Sequence, residues 1–414
     1  MKIKNNIVEI FILATTSILL IYSSDPVMYN DSSRYLEGSL KDPPLYSVVI
    51  LIMQSIFKTL NSVVVLQTFI MSIGIIFFTN TLSVLFKLNT LKKSIIAIFL
   101  YLPTLKFYNH LLTEPLSNAF SLLLVSYVIK LICNFNIRNL IWSAIFVIAL
   151  LLMRNQFILL YPLILLLYLF LFFIYYKKNT FVLLAISFLT IFLVHNSLSI
   201  LNKYIKQGSF QNKTLLSSDT GVFNFLYIDS IYISSINDAE LFENPYIQKT
   251  LTEIFEDINN NKALMEYYDG RGHFSKSYQI IRDKSPAPLK ILADKENTSI
   301  IELKKNISIK LIKANWKNYM KHIFKKFYDS SWLFVFVPFF MLLASFINFL
   351  KYKSNFSLIV IFLSSFSLSN HSVIYLFGRV QPRYFIYSDF ILLVFIFVSF
   401  SVLIIKNQKM NNKN

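Results

Sequence analysis

The long apolar segments of this chain restrict its fold more than any other feature. They run for roughly 17 to 25 residues each, the length at which an α-helix crosses the hydrocarbon core of a bilayer. Hydrophobic residues make up 55% of the 414 residues, and the mean hydropathy is +0.55. The remaining polar residues are too few to cover a soluble protein with that much apolar surface. The sequence therefore predicts an all-α polytopic membrane protein.

Basic clusters at the ends of the apolar segments give the predicted topology. Short cytoplasmic loops carry an excess of lysine and arginine, so Lys2 and Lys4 place the N-terminus in the cytoplasm and the lysine-rich tail places the C-terminus there. We predict about ten transmembrane helices in the cell membrane, with the functional face outside. The net charge is +18, but the position of the short basic clusters at span ends argues against nucleic acid as a partner. The predicted spans are approximately 7–22, 62–86, 94–109, 115–134, 139–153, 157–176, 180–202, 331–350, 355–375 and 385–405.

Hydropathy divides the chain into three predicted parts. Residues 1–202 form an N-terminal transmembrane module of about seven spans, with a polar external loop at 23–44. Residues 203–329 are polar and charged, and they predict one external, mainly α domain. Residues 330–414 form a C-terminal transmembrane module of about three spans. A helix over 45–58 is too short to cross a bilayer comfortably, so we expect it at the membrane interface.

Apolar side chains repeat at helical spacing near the end of the predicted external domain. The pattern predicts an amphipathic helix with lysines on its other face. Such a helix lies either on the membrane surface or on its own domain, and the sequence leaves both interpretations open. The predicted apolar face contains Ile309, Ile312, Trp316, Tyr319, Ile323 and Phe327.

Acidic residues outside the predicted external domain are few, and their positions are informative. A carboxylate near lipid costs several kcal/mol unless it is paired or hydrated, so acids kept there are candidates for function. All of these acids except Glu9 fall on or near the predicted external side. They are Glu9, Asp25, Asp31, Glu37, Asp42, Glu114 and Asp389.

Three arginines are predicted on the same side as these acids. Arg154, Arg379 and Arg383 lie at the external ends of spans, and a guanidinium grips phosphate oxygens in a fork. A carboxylate can remove a proton from an acceptor hydroxyl while cationic groups hold a departing phosphate as its charge develops. Acids and arginines at one face therefore favour transfer of a group from a lipid phosphate. His110 lies one helical turn before Glu114, but no third metal ligand is evident.

Several short motifs stand at the predicted external ends of spans. They are Asn30-Asp31-Ser32-Ser33-Arg34-Tyr35, Asp42-Pro43-Pro44-Leu45-Tyr46, Leu112-Thr113-Glu114-Pro115-Leu116, Met153-Arg154-Asn155-Gln156 with Tyr161-Pro162-Leu163, and Arg383-Tyr384. In this order along the chain they resemble the motifs of the GT-C superfamily of membrane glycosyltransferases. That superfamily includes protein O-mannosyltransferases and lipid A aminoarabinose transferases. The first external loop lacks an adjacent Asp-Glu pair, and Asn155 stands where proline is frequent.

The resemblance implies a helical membrane bundle with a catalytic cavity on its external face. It implies transfer of a sugar from a polyprenyl-phosphate donor. Scarce glycine with abundant isoleucine, asparagine and lysine indicates an AT-rich, bacterial genome, so the expected acceptor is a surface glycan, lipid or protein in cell-envelope polysaccharide biosynthesis. Asp31 is then the general base and Glu114 a second catalytic acid. No cofactor is certain, and a divalent metal stays open. The residues expected to bind substrate or lipid phosphate are Arg154, Arg379, Arg383, Tyr35 and Tyr46.

Simpler roles compete with each assignment. Asp31 suits a helix N-cap, and Glu114 suits the first turn of a helix, where an acid is stabilised by the helix dipole. The arginines suit ordinary snorkelling to the interface, and the tyrosines suit an aromatic belt. A flippase or transporter of lipid-linked oligosaccharide also needs a cationic cavity, and so does a polysaccharide polymerase. The polymerase would require neither Asp31 nor Glu114.

Overall fold

The computed structural model describes residues 7–21, 25–38, 42–103, 105, 107–175, 178–207, 221–260, 281–331, 333–377 and 386–411. These residues are helices and the turns between them, and the one bridge among them outside a helix joins Val27 to His110. The prediction of an all-α protein is therefore confirmed for the described residues. The chain divides into two compact units. The membrane unit comprises 1–212, 337–370 and 383–414, and the loop unit comprises 213–336 and 371–382.

The membrane unit is built around α6, which packs between α4 and α7 and also contacts the last helix, Ile386–Asn411. Of the membrane-length segment of α6, 78% is buried, against 17% for α9, so α6 is central and α9 peripheral. The helices α1 to α9 are Ile7–Ile21, Asn30–Leu36, Pro44–Phe57, Asn61–Phe86, Thr90–Tyr101, Glu114–Cys133, Ile137–Met153, Leu160–Tyr175 and Lys178–Gln207. A 3-10 helix, Asn155–Leu159, precedes α8.

Gly74 permits the close approach of α4 to α6. A Cβ atom at this position would lie 3.0 Å from the carbonyl oxygen of Ala119 and 3.2 Å from its Cα atom. Both contacts are with backbone, so no change of rotamer could relieve them. Small residues at such crossings let membrane helices pack closely, because association there depends on van der Waals contact. Gly74 thereby sets the distance between α4 and the helix that begins at Glu114.

Six helical segments are long and apolar enough to cross a membrane among the residues that the structure describes. They are Asn61–Phe86, Glu114–Cys133, Asn155–Tyr175, Asn179–Asn202, Val335–Tyr352 and Asn355–Leu376, and each overlaps a predicted span. Three further predicted spans, 7–22, 139–153 and 385–405, coincide with shorter apolar helices. Ten spans are therefore not confirmed.

The helix found in the predicted span 94–109 ends earlier than expected. The helix here, α5, ends at Tyr101, and the residues that the structure describes between 102 and 113 form turns, bends and the bridge at His110 instead. Backbone groups of this turn segment bond elsewhere: the Val27 N–H donates to the Asn109 carbonyl at 3.0 Å, and the Leu111 N–H donates to the Val27 carbonyl at 3.2 Å. Apolar composition predicted a helix to residue 109. Near Asn109 and Leu111, however, backbone N–H and C=O groups form hydrogen bonds with Val27 and not with the next helical turn.

The loop unit is a separate helical assembly with its own apolar core. In it α10 packs on α13 and α14, and α12 packs between α11 and α13. The predicted external domain, 203–329, overlaps most of this unit. The helices α10 to α14 are Gly221–Ile233, Pro245–Asn260, Pro286–Lys295, Ile300–Ala314 and Trp316–Ser331. The remaining helices are α15, Leu333–Tyr352, α16, Asn355–Phe377, and α17, Ile386–Asn411.

The predicted amphipathic helix near residue 316 is two helices with different buried faces. Asn315 separates α13 from α14, and its side chain donates to the Leu311 carbonyl at 3.3 Å. Because the helix breaks there, the predicted apolar face does not continue across the junction. Ile323 is buried as expected, whereas Trp316 is 58% exposed. The prediction of one continuous apolar face was therefore wrong.

Candidate active site

Two loop segments are joined by hydrogen bonds at the candidate site. The short helix α2 is capped by Ser32, whose Oγ accepts from the Tyr29 N–H at 2.9 Å and donates to the Leu111 carbonyl at 2.8 Å. The bridge between Val27 and His110 ties the same two segments a second time. Residues 25–38, which carry Asp31, are thereby fixed beside residues 107–114, which carry Glu114.

The side chains of Tyr35 and Tyr46 are buried and pack against each other. Their rings meet edge to face, with centroids 5.1 Å apart, and they are 6% and 0% exposed. The Tyr46 hydroxyl donates to Gln67 Oε1 at 3.2 Å. Gln67 Nε2 in turn donates to the carbonyls of Tyr108 and His110, at 2.7 and 2.9 Å. Gln67, on α4, thus fixes the backbone at Tyr108 and His110 by hydrogen bonds, and Tyr46 packs against Tyr35.

Glu114 and Arg154 form an ion pair between neighbouring helices. The distance from Arg154 Nη1 to Glu114 Oε1 is 3.1 Å, and the side chains are 15% and 6% exposed. Glu114 is the first residue of α6, where the helix dipole favours a negative charge. Arg154 is the first residue beyond α7 and has an extended backbone, which turns it away from the helix axis. The pairing and burial of Arg154 argue against simple snorkelling into the headgroups.

Asp31 and Asp42 share Arg34. Arg34 Nη2 lies 3.5 Å from Asp31 Oδ1, and Arg34 Nε lies 3.1 Å from Asp42 Oδ2. Asp31 is the second residue of α2, and Ser32, not Asp31, caps the helix. The Asp31 side chain is 29% exposed and the Asp42 side chain 14%, so Asp31 is the more accessible carboxylate of the two.

The electrostatics of Tyr35 show that these charges share one neighbourhood. Burial raises the pKa of Tyr35 to about 12. The charge of Arg154 lowers that pKa, while Glu114, Asp42 and Asp31 raise it. One buried phenol therefore lies within the fields of an arginine and three carboxylates drawn from four different chain segments. Glu114 and Arg154 are in contact, and the segment that carries Asp31 is hydrogen-bonded to the segment that precedes Glu114.

Two predicted site residues, Arg379 and Arg383, lie outside the described residues. His110 is not on a helix, so it does not share a helical turn with Glu114. Its ring instead packs between Tyr29 and Phe107, with centroids 4.9 and 5.6 Å away. Among the residues that the structure describes, no group of three histidine, cysteine, aspartate or glutamate side chains is arranged to hold a metal ion.

A buried polar network two residues beyond Arg154 was missed by the sequence reasoning. Gln156 Nε2 donates to Asn370 Oδ1 at 2.7 Å and contacts the hydroxyl of Tyr387. Asn370 Nδ2 donates to Ser388 Oγ at 3.0 Å, and the Ser388 hydroxyl donates to Asp389 Oδ1 at 3.1 Å. The signal for it was weak, since Asp389 was its only charged member.

The arrangement has the groups needed for transfer from a phosphate leaving group. Asp31 is an accessible carboxylate, and Arg154 is a buried guanidinium held by an acid. No protein-family model matches the chain, and no curated protein is significantly similar to it.

Proposed function

We propose that this protein is an integral-membrane glycosyltransferase of the GT-C type. It transfers a sugar from a polyprenyl-phosphate donor to a hydroxyl of a surface glycan, lipid or protein. The proposal includes about ten membrane spans, cytoplasmic termini and catalysis at the external face of the cell membrane. The observation that carries it is the ion pair of Glu114 with Arg154, next to a loop segment with Asp31 that is hydrogen-bonded to residues 109 and 111.

In the proposed reaction Asp31 is the general base. Its carboxylate takes the proton of the acceptor hydroxyl as that oxygen attacks the anomeric carbon of the donor sugar. The bond between the anomeric carbon and the phosphate oxygen breaks, and its electron pair leaves with polyprenyl phosphate. Asp31 suits this role better than Glu114 because its side chain is more exposed, 29% against 6%. Its distance to Arg34, 3.5 Å, is also longer than the 3.1 Å between Glu114 and Arg154.

Arg154 is assigned to the leaving phosphate, whose negative charge grows in the transition state. A guanidinium has five donors, so Arg154 can keep its contact with Glu114 and still bind phosphate oxygens. Glu114 then acts as a positioning residue that fixes the guanidinium in advance. The predicted contributions of Arg379 and Arg383 add further positive charge for the same phosphate. Membrane lipid and the lipid-linked donor are the expected partners.

The test is transfer of labelled sugar from polyprenyl-phosphate donors, measured in membranes with equal amounts of each variant. Asp31→Asn keeps the shape of the side chain but removes its basicity. We expect turnover to fall by about 10²–10⁴-fold, the range typical for loss of a general base. Asp25→Asn is the matched control, because Asp25 is an exposed acid of the same loop, and it should retain activity.

Each outcome bears on a different part of the proposal. Loss of transfer in Asp31→Asn alone supports both the transferase and the base. Full activity in Asp31→Asn keeps the transferase but moves the base to Glu114. Absence of transfer by the wild-type protein with every donor contradicts the proposal and favours a flippase or transporter of the same lipid-linked sugar.

A further inference from the structure

Helix α14 carries a row of exposed apolar side chains that the loop unit leaves uncovered. Trp316, Met320, Phe324 and Tyr328 follow one another at intervals of four residues, and they are 58%, 42%, 65% and 72% exposed. Residues four apart lie on one side of an α-helix, so these side chains form a single stripe. We call it the α14 stripe. Four large side chains in one exposed row are more than scattered surface residues, and such rows mark interaction sites.

The opposite side of α14 is fixed within the loop unit by a buried cluster of charges. Asp229 of α10 accepts from Lys326 Nζ at 2.5 Å, and its other oxygen is 3.1 Å from His322 Nε2. All three side chains are less than a tenth exposed. Because a buried charge left without its partner is costly, this cluster fixes the rotation of α14 about its axis. The exposure of the α14 stripe is therefore built into the fold.

Positive charge lies next to the stripe. Lys317, Lys321 and Lys325 also follow one another at intervals of four residues and are exposed. At about 100° per residue this row overlaps one edge of the α14 stripe and extends from there toward the His322 side of the helix. A helix with aromatic residues on one face and lysines beside them has the composition of helices that lie in a membrane interface. The partner that fits is a lipid surface with anionic phosphates.

Two connections place α14 close to that surface. The helix ends at Ser331, and α15, which contains the candidate span Val335–Tyr352, begins at Leu333, so at most about 7 Å of chain separates the two helices. Tyr375 lies in the last turn of another membrane-length helix, Asn355–Leu376. Its ring is 4.0 Å from that of Phe327, and its carbonyl accepts from Lys326 Nζ at 3.4 Å. The C-terminal half of α14 is thus tied to the ends of two candidate spans.

We propose that α14 lies in the membrane interface, with the α14 stripe inserted among the lipids and its lysine row on anionic headgroups. The sequence left a choice between a membrane and a domain contact, and the structure assigns a different face to each. The face of Ile323 packs on the domain, and the face of Phe324 meets the lipid. This inference does not depend on the transferase proposal, because it concerns only how the loop unit contacts the bilayer.

The test is spin-label accessibility on the full chain in nanodiscs that contain anionic phosphatidylglycerol. Cys133, the only cysteine, is first replaced by alanine, and single labels are then placed at Met320→Cys, Phe324→Cys or Asn318→Cys. Asn318 is the matched control, because it is an exposed residue of the same helix on the side away from the stripe. Collision with oxygen reports lipid, and collision with a water-soluble nickel complex reports water.

We expect the ratio of oxygen to nickel collisions to be several-fold higher at residues 320 and 324 than at residue 318. We also expect the ratio at residue 324 to fall in discs of zwitterionic phosphatidylcholine, because the lysine row then lacks its partner. Equal ratios at all three positions would overturn the proposal, since the stripe would face water. Protection from both reagents, or dipolar coupling between two labelled copies, would overturn it in favour of a protein contact. An unchanged ratio in zwitterionic discs would overturn the assignment of the lysine row.

Discussion

Replacing Arg154 by methionine should destabilise the membrane unit strongly. Glu114 is 6% exposed and 3.1 Å from the guanidinium, so the substitution leaves a buried carboxylate without its counter-charge. Removal of one partner from a buried ion pair typically costs about 3–5 kcal/mol. The N-terminus of α6 offsets about 0.3–1 kcal/mol of that cost, because its dipole also stabilises Glu114. We therefore expect the free energy of unfolding to fall by about 3 kcal/mol, near the lower end of that range.

A double substitution separates the charge effect from lost packing. Arg154→Met combined with Glu114→Gln removes both charges and leaves no buried ion. The double variant should recover most of the lost stability, with a coupling energy of about 2–3 kcal/mol between the two positions. It should still fail in sugar transfer, because the guanidinium assigned to the leaving phosphate is absent. Stability and function are thus expected to separate in one protein.

The assay is reversible unfolding of the full chain in detergent, followed by intrinsic fluorescence for wild type, both single variants and the double variant. Arg138→Met is the control, because Arg138 is an exposed arginine at the opposite end of the same helix, α7. It should change the free energy of unfolding by less than about 0.5 kcal/mol. A cost below about 1 kcal/mol for Arg154→Met, or strictly additive effects in the double variant, would refute the reasoning.

Three further predictions concern the elements that support the site and the loop unit. Gly74→Ala should cost about 1–3 kcal/mol in the same unfolding assay, and Ala119→Gly should not rescue it because the contacts are with backbone. Gln67→Leu leaves two carbonyls and the Tyr46 hydroxyl without their partner, so we expect a loss of about 2–3 kcal/mol together with reduced transfer. Burial lowers the pKa of His322. As the pH falls, His322 is therefore protonated in the unfolded chain before it is protonated in the folded one. Its contribution to the free energy of unfolding is constant above a pH of about 6.5 and falls below that pH by at most about 1.4 kcal/mol per pH unit. In His322→Gln the contribution of this residue to the acid destabilisation should be absent, and an unchanged pH dependence would contradict the assignment.

Sequence reasoning located much of the candidate site because charge is rare in this part of the chain. Asp31, Glu114 and Arg154 were identified as polar groups at predicted external ends, and the structure brings them together. The bonds that join their loops were not predictable, since Ser32 reaches a backbone carbonyl 79 residues away. The contact between Gln156 and Asn370 spans 214 residues and involves no charge, so no local pattern indicated it.

Helix α14 shows why periodicity alone was insufficient. Its sequence contains two overlapping apolar faces, one with Ile323 and the other with Phe324. The choice between them depends on Asp229, which lies more than 90 residues earlier and holds His322 and Lys326. The predicted span 94–109 failed for a similar reason, because hydrogen bonds to Val27 replace helix beyond Tyr101. Long-range polar contacts decided both cases.

The most direct test of the proposed function is reconstitution of the purified chain in sealed liposomes with a donor labelled separately in its sugar and its polyprenyl phosphate. An acceptor glycan is supplied on the external side. A transferase separates the two labels, with the sugar found on the acceptor and the lipid phosphate left in the membrane. We predict that separation for wild type and its loss in Asp31→Asn. Movement of both labels together across the bilayer, with the donor intact, would contradict the proposal and identify the protein as a flippase.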